Sequence, residues 1–97
     1  MKQYMIEFEL PEVMSEAFVD RIPAQRDTVN RMLARGIIKS YSLAADRSAL
    51  WVVMVAEDEF EVQERIAEFP LIDFMTPFVS ELMFHNSEEH VLQFSLN

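Results

Sequence analysis

Apolar residues recur along the chain with the periods of strands and helices. They alternate with polar residues over 3–10, which predicts a half-buried strand. Residues 37–44 and 49–56 also predict strands, joined by a turn. The second of these strands is apolar on both faces, so we expect it at the centre of a sheet. Residues 78–85 predict the last main strand.

Apolar residues at helical spacing predict two helices between these strands. The first covers residues 15–35, where Pro23 is expected to kink the helix or to split it. Gly36 follows as the residue that takes a positive φ and ends this helix. The second helix is predicted to begin after Asp58, which caps it, and to end at Pro70.

The resulting order, β-α-β-β-α-β, predicts an α+β protein with the ferredoxin-like fold. Right-handed crossovers place both helices on one face of an antiparallel sheet. The other face carries apolar side chains such as Met5 and Met83, which are rarely left in water. We therefore expect a homodimer or larger homo-oligomer that packs sheet on sheet. A single domain over 1–97 is expected, with a core over 1–87 and a tail over 88–97 that packs on the partner subunit.

Composition narrows the classes of function. The 97 residues include 8 Lys and Arg against 17 Asp and Glu, which gives a formal net charge of −9. This charge disfavours binding to nucleic acid or to an anionic membrane, because both require basic side chains. The chain has no cysteine, one glycine and two histidines, so we expect no disulfide, Gly-rich phosphate loop or three-histidine zinc site. We expect a cytoplasmic protein with no metal or cofactor.

An apolar loop within residues 69–87 has the pattern Pro-Leu-x-x-aromatic-Met and is followed by an apolar strand that ends in a histidine. In this chain those positions are Pro70, Leu71, Phe74, Met75 and His85. With the strand that ends in Leu10-Pro11 and the helix that closes on Gly36, this layout resembles the muconolactone isomerase family. The resemblance implies the dimeric α+β barrel form of the ferredoxin-like fold, and an isomerase that moves a proton along a lactone ring.

The strand after Gly36 departs from that family's pattern. The family typically carries a Trp-Arg-His-Leu-Trp-like run there, whereas this chain has Ile-Lys-Ser-Tyr-Ser. Ser40 therefore stands at the family's histidine position, and Lys39 keeps the positive charge before it. The isomerase reaction needs a base, a proton carrier, and donors that hold the enolate oxygen, so these roles must fall on other residues.

Five polar residues are the candidates for that chemistry. The topology sets the first and last strands side by side, so Glu7 and Glu81 are predicted to be neighbours on the uncovered face. Adjacent carboxylates raise each other's proton affinity, which would make one of them a base. His85, on the same face as Glu81, is the predicted proton carrier, and Lys39 and Tyr41 are the predicted oxyanion donors. Glu7 and Glu9 also fit a solvated face or ion pairs with Lys39 across a dimer, and His85 also fits a residue of the subunit interface.

These observations lead to one main prediction and two alternatives. The chain is predicted to be a muconolactone-isomerase-like small-molecule enzyme or ligand-binding protein that transfers a proton next to a carbonyl. The alternatives are a non-catalytic oligomerisation or regulatory module and a cofactor-free monooxygenase of the same barrel class. A polar cavity that contains Glu7, Glu81 and His85 would favour the first function, and a dry, filled space between two sheets would favour the module.

Overall fold

The helices and strands follow one another in the predicted β-α-β-β-α-β order. The computed structural model of the protein describes residues 1–87, so the predicted packing of the tail, residues 88–97, lies outside the described residues. The elements are β1 (Lys2–Glu9), α1 (Glu16–Ala34), β2 (Ile38–Leu43), β3 (Ala49–Ala56), α2 (Glu59–Ile66), a short 3₁₀ helix (Ile72–Phe74) and β4 (Thr76–Leu82). The last strand ends earlier than residue 85, where the sequence predicts its end.

The four strands form one antiparallel sheet in the order β2-β3-β1-β4. The strand β3 lies between β2 and β1, in the central position that its two apolar faces predict. The register places Glu7 of β1 opposite Trp51 of β3 and opposite Phe78 of β4. Because side chains alternate between the two faces of a sheet, this register decides which residues of the four strands share a face.

One hydrophobic core joins the sheet to both helices. The sheet contributes the side chains of one face, chiefly Tyr4, Ile6, Phe8, Ile38, Leu50, Val52, Met54 and Ala56. The helices and the loop before β4 contribute Phe18, Val29, Met32, Val62, Ile66, Phe69, Leu71 and Met75. The rings of Phe8 and Phe69 meet at 5.7 Å between centroids. Both helices therefore cover the same face of the sheet, as the ferredoxin-like fold requires.

Helix α1 runs without interruption through Pro23, so of the two predicted effects, a kink or a split, the split does not occur. A proline inside a helix removes one hydrogen bond and costs about 3 kcal/mol. Here Phe18 on one side of Pro23 and Val29 on the other are both buried in the same core, which holds the two halves together. The helix begins after Ser15, whose Oγ accepts a hydrogen bond from the Phe18 N–H at 3.1 Å.

The end of α1 is fixed by Gly36, which has the predicted positive φ, 74°. The Gly36 N–H donates to the carbonyl of Leu33, and the Ile37 N–H donates to the carbonyl of Met32. These are the two hydrogen bonds of a Schellman motif. Since Ile38 begins β2, the motif turns the chain from the helix directly into the sheet.

The second face of the sheet carries neither helix, and we call it the open face. Its side chains come chiefly from Gln3, Met5, Glu7, Glu9, Ser40, Ser42, Trp51, Val53, Val55, Phe78, Ser80 and Leu82. On this face, Trp51 of β3 and Phe78 of the edge strand β4 stay 37% and 55% exposed. Within residues 1–87, no helix is long and apolar enough to cross a membrane.

Candidate functional site

A pocket of about 410 Å³ opens between α1, the sheet and the loop that precedes β4; we call it the α1 pocket. Its wall is mostly apolar and is formed chiefly by Leu10, Phe18, Ile22, Val29, Leu50 and Met75. Its polar or charged side chains are Gln25, Arg26, Asn30 and Tyr41. A pocket of this size and composition is suited to a small organic molecule. In the described part of the chain, no carboxylate or imidazole lines it.

Gln25 and Tyr41 form the polar part of the pocket wall. Helix α1 places Gln25 on its apolar face, so this polar side chain is only 3% exposed. Its Nε2 donates to the Tyr41 hydroxyl at 3.3 Å, and its Oε1 accepts from the backbone N–H of Leu71 at 3.1 Å. Gln25 therefore connects three elements that surround the pocket: α1, β2 and the loop before β4.

The environment of Tyr41 keeps its phenol neutral. Burial raises the pKa of Tyr41 above its usual range, and the hydrogen bond from Gln25 lowers the pKa by a smaller amount. Because an ordinary tyrosine pKa is already about 10, the Tyr41 phenol keeps its proton at neutral pH. It therefore offers the pocket a hydrogen-bond donor and not a base.

The loop before β4 is attached to α1 by Arg21. The Arg21 Nη1 donates to the carbonyl of Pro70 at 3.2 Å. The guanidinium group also lies over the ring of Phe74, 5.0 Å from its centroid, and this ring meets Phe18 edge-on. Because Met75 of the same loop lines the α1 pocket, these contacts fix one wall of the pocket.

Of the five site residues that the sequence predicts, only Tyr41 lines the α1 pocket. Glu7 lies on the open face, across the sheet from the pocket, where its Oε1 accepts a hydrogen bond from the indole N–H of Trp51 at 2.8 Å. Lys39 is exposed at an irregularity in the pairing of β2 with β3. His85 is exposed beyond the end of β4. The predicted residues are thus not gathered in one cavity.

The predicted pairing of Glu7 with Glu81 is wrong. The register of β1 and β4 places Phe78 beside Glu7, and it places Glu81 beside Tyr4, on the other face of the sheet. The sequence predicts which strands are neighbours but not their register, and a shift of one residue moves every side chain to the opposite face. Glu81 instead lies 3.6 Å from the Nζ of Lys2. Burial, and then the Glu81 charge, raise the pKa of Tyr4.

Sequence reasoning missed Gln25 as a site residue, although one signal was present. Gln25 lies between Ile22 and Val29 in the apolar stripe of α1, at helical spacing from both. A polar residue in such a stripe is buried and requires a hydrogen-bond partner. Its partners, Tyr41 and Leu71, are distant in sequence, so spacing along the chain does not reveal them.

Comparison with known proteins identifies the family. The structure is similar to a crystal structure of muconolactone isomerase, with a TM-score of 0.69 and 20% identity, over 91% of this chain and 95% of that chain. At this identity the similarity shows the shared fold, and it confirms the predicted ferredoxin-like architecture. No curated protein sequence matches the chain significantly. A family model described as muconolactone delta-isomerase matches residues 3–88, and the chain therefore belongs to that family.

Proposed function

We propose that this protein binds a small, largely apolar molecule in the α1 pocket. The observation that carries the proposal is an apolar wall around about 410 Å³, interrupted by the hydrogen-bonded pair of buried Gln25 and half-buried Tyr41. Ligand sites are typically apolar pockets into which a small number of polar groups converge. Arg26 lies exposed on the pocket wall and adds a positive charge that favours a ligand with a carboxylate group.

Proton transfer next to a carbonyl is the second candidate function, and membership of the muconolactone delta-isomerase family favours it. The neutral phenol of Tyr41 is suited to hold the oxygen of a carbonyl or an enolate. The reaction also needs a base, and no carboxylate or imidazole of residues 1–87 lines the pocket. An enzyme would therefore take its base from outside this part of the subunit, which is why we place binding first.

The test of binding is a titration with muconolactone, a lactone that carries a carboxylate, followed by methyl NMR. We expect the methyl signals of Leu50 and Met75, which line the pocket, to shift, and those of Val55, on the open face, to stay unchanged. Arg26→Gln should weaken binding severalfold, because a charge-assisted contact is lost. The matched variant Arg65→Gln, on α2, should leave the affinity unchanged.

The absence of pocket shifts with both muconolactone and an uncharged ketone of similar size, at millimolar concentration, would overturn the binding proposal. A second measurement separates binding from catalysis. The ring protons of muconolactone are followed by NMR in heavy water, with and without protein. We expect no exchange with deuterium, since the described pocket wall lacks a base. Exchange would establish the enzymatic alternative.

We also propose that a second copy of the chain covers the open face, which gives a homodimer or larger homo-oligomer. The open face exposes Trp51 and Phe78, and its Glu7 already accepts a hydrogen bond from Trp51. With a net charge of −9, two copies repel each other over most of their surface. Covering the exposed side chains of Trp51 and Phe78 removes apolar surface from water, and this hydrophobic gain favours association through the open face.

A further inference from the structure

The side chain of Gln25 has one permitted orientation. Its Oε1 accepts a hydrogen bond from the backbone N–H of Leu71, at 3.1 Å. If the amide turned over, its NH₂ group would face that N–H, and two donors would meet in a buried site. The NH₂ group therefore always faces the other way, toward the hydroxyl of Tyr41, 3.3 Å from Nε2.

The orientation of Gln25 in turn fixes the proton of Tyr41. A phenol has one proton, which lies near the plane of the ring on one of two sides of the oxygen. The N–H of Gln25 occupies one side, so the proton of Tyr41 takes the other. Among residues 1–87 no acceptor receives this proton, and Tyr41 lines the α1 pocket. A molecule in the α1 pocket could therefore accept this proton, because Tyr41 is part of the pocket wall.

We propose that Gln25 is a positioning residue that makes Tyr41 a hydrogen-bond donor toward the α1 pocket. The pocket then selects ligands that present an accepting oxygen, such as that of a ketone, a lactone or an enolate. A ligand of the same shape without that oxygen leaves the Tyr41 donor unpaired in an apolar wall, which costs affinity. This inference rests on the proposed function, since it requires a ligand in that pocket.

Three neutral aromatic probes of similar size test this selection. Acetophenone presents an accepting oxygen, α-methylstyrene has the same shape with a CH₂ group in place of that oxygen, and aniline presents donors. For the unaltered protein we expect acetophenone to bind about tenfold more tightly than α-methylstyrene, the value of one well-made hydrogen bond. The carbonyl stretching frequency of bound acetophenone should also be lower than in Tyr41→Phe, which lacks the donor.

The variant Gln25→Glu tests the positioning role, because it keeps the size of the side chain and the bond from Leu71. The introduced carboxylate accepts a hydrogen bond, so the proton of Tyr41 turns toward it and leaves the pocket. At alkaline pH we expect the preference for acetophenone to disappear and aniline to bind more tightly. At acidic pH the introduced carboxyl group is protonated and donates again, so the preference returns.

Two further variants serve as controls. Gln63→Glu makes the same amide-to-acid change at an exposed position of α2, outside the α1 pocket, so the preference for acetophenone should persist. Tyr41→Phe should abolish the preference at every pH. If Gln25→Glu fails to fold, Gln25→Met replaces it. This variant frees the hydroxyl to rotate, so it should reduce the preference less than Tyr41→Phe does.

The outcomes separate this inference from the proposed function. If neither acetophenone nor α-methylstyrene binds to the unaltered protein, the proposed function fails. If acetophenone and α-methylstyrene bind equally well, ligand binding in the pocket is supported, but the selection for an accepting oxygen is refuted. If Tyr41→Phe abolishes the preference while Gln25→Glu or Gln25→Met leaves it intact at every pH, Tyr41 is the donor and Gln25 does not position it.

Discussion

The two buried polar side chains among residues 1–87, Gln25 and Thr28, are both hydrogen-bonded. Gln25 bonds to Tyr41 and to the backbone of Leu71, and the hydroxyl of Thr28 accepts a hydrogen bond from Arg31 at 3.1 Å. Within residues 1–87, no buried side-chain nitrogen or oxygen lacks a partner. Loss of one partner would leave the other unpaired in an apolar setting, at a cost of about 1–3 kcal/mol.

The raised pKa of Tyr41 predicts a loss of stability at alkaline pH. The folded state holds the phenolic proton more tightly than the unfolded state. Below the ordinary pKa of about 10, both states are protonated and this group adds no pH dependence. Above that pH the unfolded state ionises first, so the free energy of unfolding falls until the folded pKa is passed.

The variant Tyr41→Phe should show a shallower fall of unfolding free energy with alkaline pH than the unaltered protein. Urea unfolding of both proteins, at a series of pH values from neutral to strongly alkaline, measures the free energy of unfolding at each pH. Tyr4, whose pKa is also raised, keeps its own contribution in both proteins. The same slope in both would contradict the link between the burial of Tyr41 and its ionisation.

At the scale of elements, the turn from α1 into β2 depends on Gly36. A Cβ at this position would meet the Nζ of Lys39 at 3.9 Å, an ordinary contact, so space is available. The strain comes from the backbone, because a φ of 74° costs a residue with a side chain about 1–2 kcal/mol.

The variant Gly36→Ala should therefore lower the free energy of unfolding by about 1–2 kcal/mol, measured by urea denaturation. Gly36→Asn is the matched variant, since asparagine tolerates positive φ better, and it should cost less. Equal losses for the two variants would show that the backbone conformation is not the cause.

The sequence predicts which segments are helices and which are strands, because this depends on the spacing of apolar residues that are close along the chain. The alternation over 3–10, the two helical stripes and the position of Gly36 each involve neighbours in sequence, and the structure agrees with them. The pairing of Glu7 with Glu81 failed because it depends on register, which is set by packing across the sheet. The continuity of α1 through Pro23 also depends on tertiary packing, because the core holds the helix on both sides of the proline.

The candidate site was predictable only in part. Tyr41 was expected as a hydrogen-bond donor, and it lines the α1 pocket. The residue that orients it, Gln25, touches Tyr41 and Leu71 across 16 and 46 positions of sequence. Such contacts depend on how α1 packs on the sheet, and a single amino-acid sequence does not specify this packing.

At the scale of the whole molecule, the sheet separates the α1 pocket from the open face. The α1 pocket lies on the side of the helices, and the open face with Trp51 and Phe78 lies on the other. The proposed assembly through the open face and the proposed binding in the pocket therefore use different surfaces. A substitution on one side is expected to leave the other unchanged.

The variant Phe78→Glu should convert the proposed oligomer to monomers, because it adds a charge to the open face. Phe60→Glu is the matched control, since Phe60 is also exposed but lies on α2. Sedimentation at micromolar concentration measures the mass of each protein. An unaltered protein that is already monomeric, or a Phe78→Glu protein of unchanged mass, would refute the proposed interface.

Trp51 gives this division a practical consequence. It is the chain's one tryptophan, and its indole ring lies on the open face, beside the Glu7 carboxylate. Its fluorescence should therefore change when subunits separate and stay constant when a ligand enters the pocket on the far side of the sheet. Trp51 is thus an intrinsic fluorescent probe of the proposed association, and dilution of the unlabelled protein would yield the dissociation constant of such an oligomer directly.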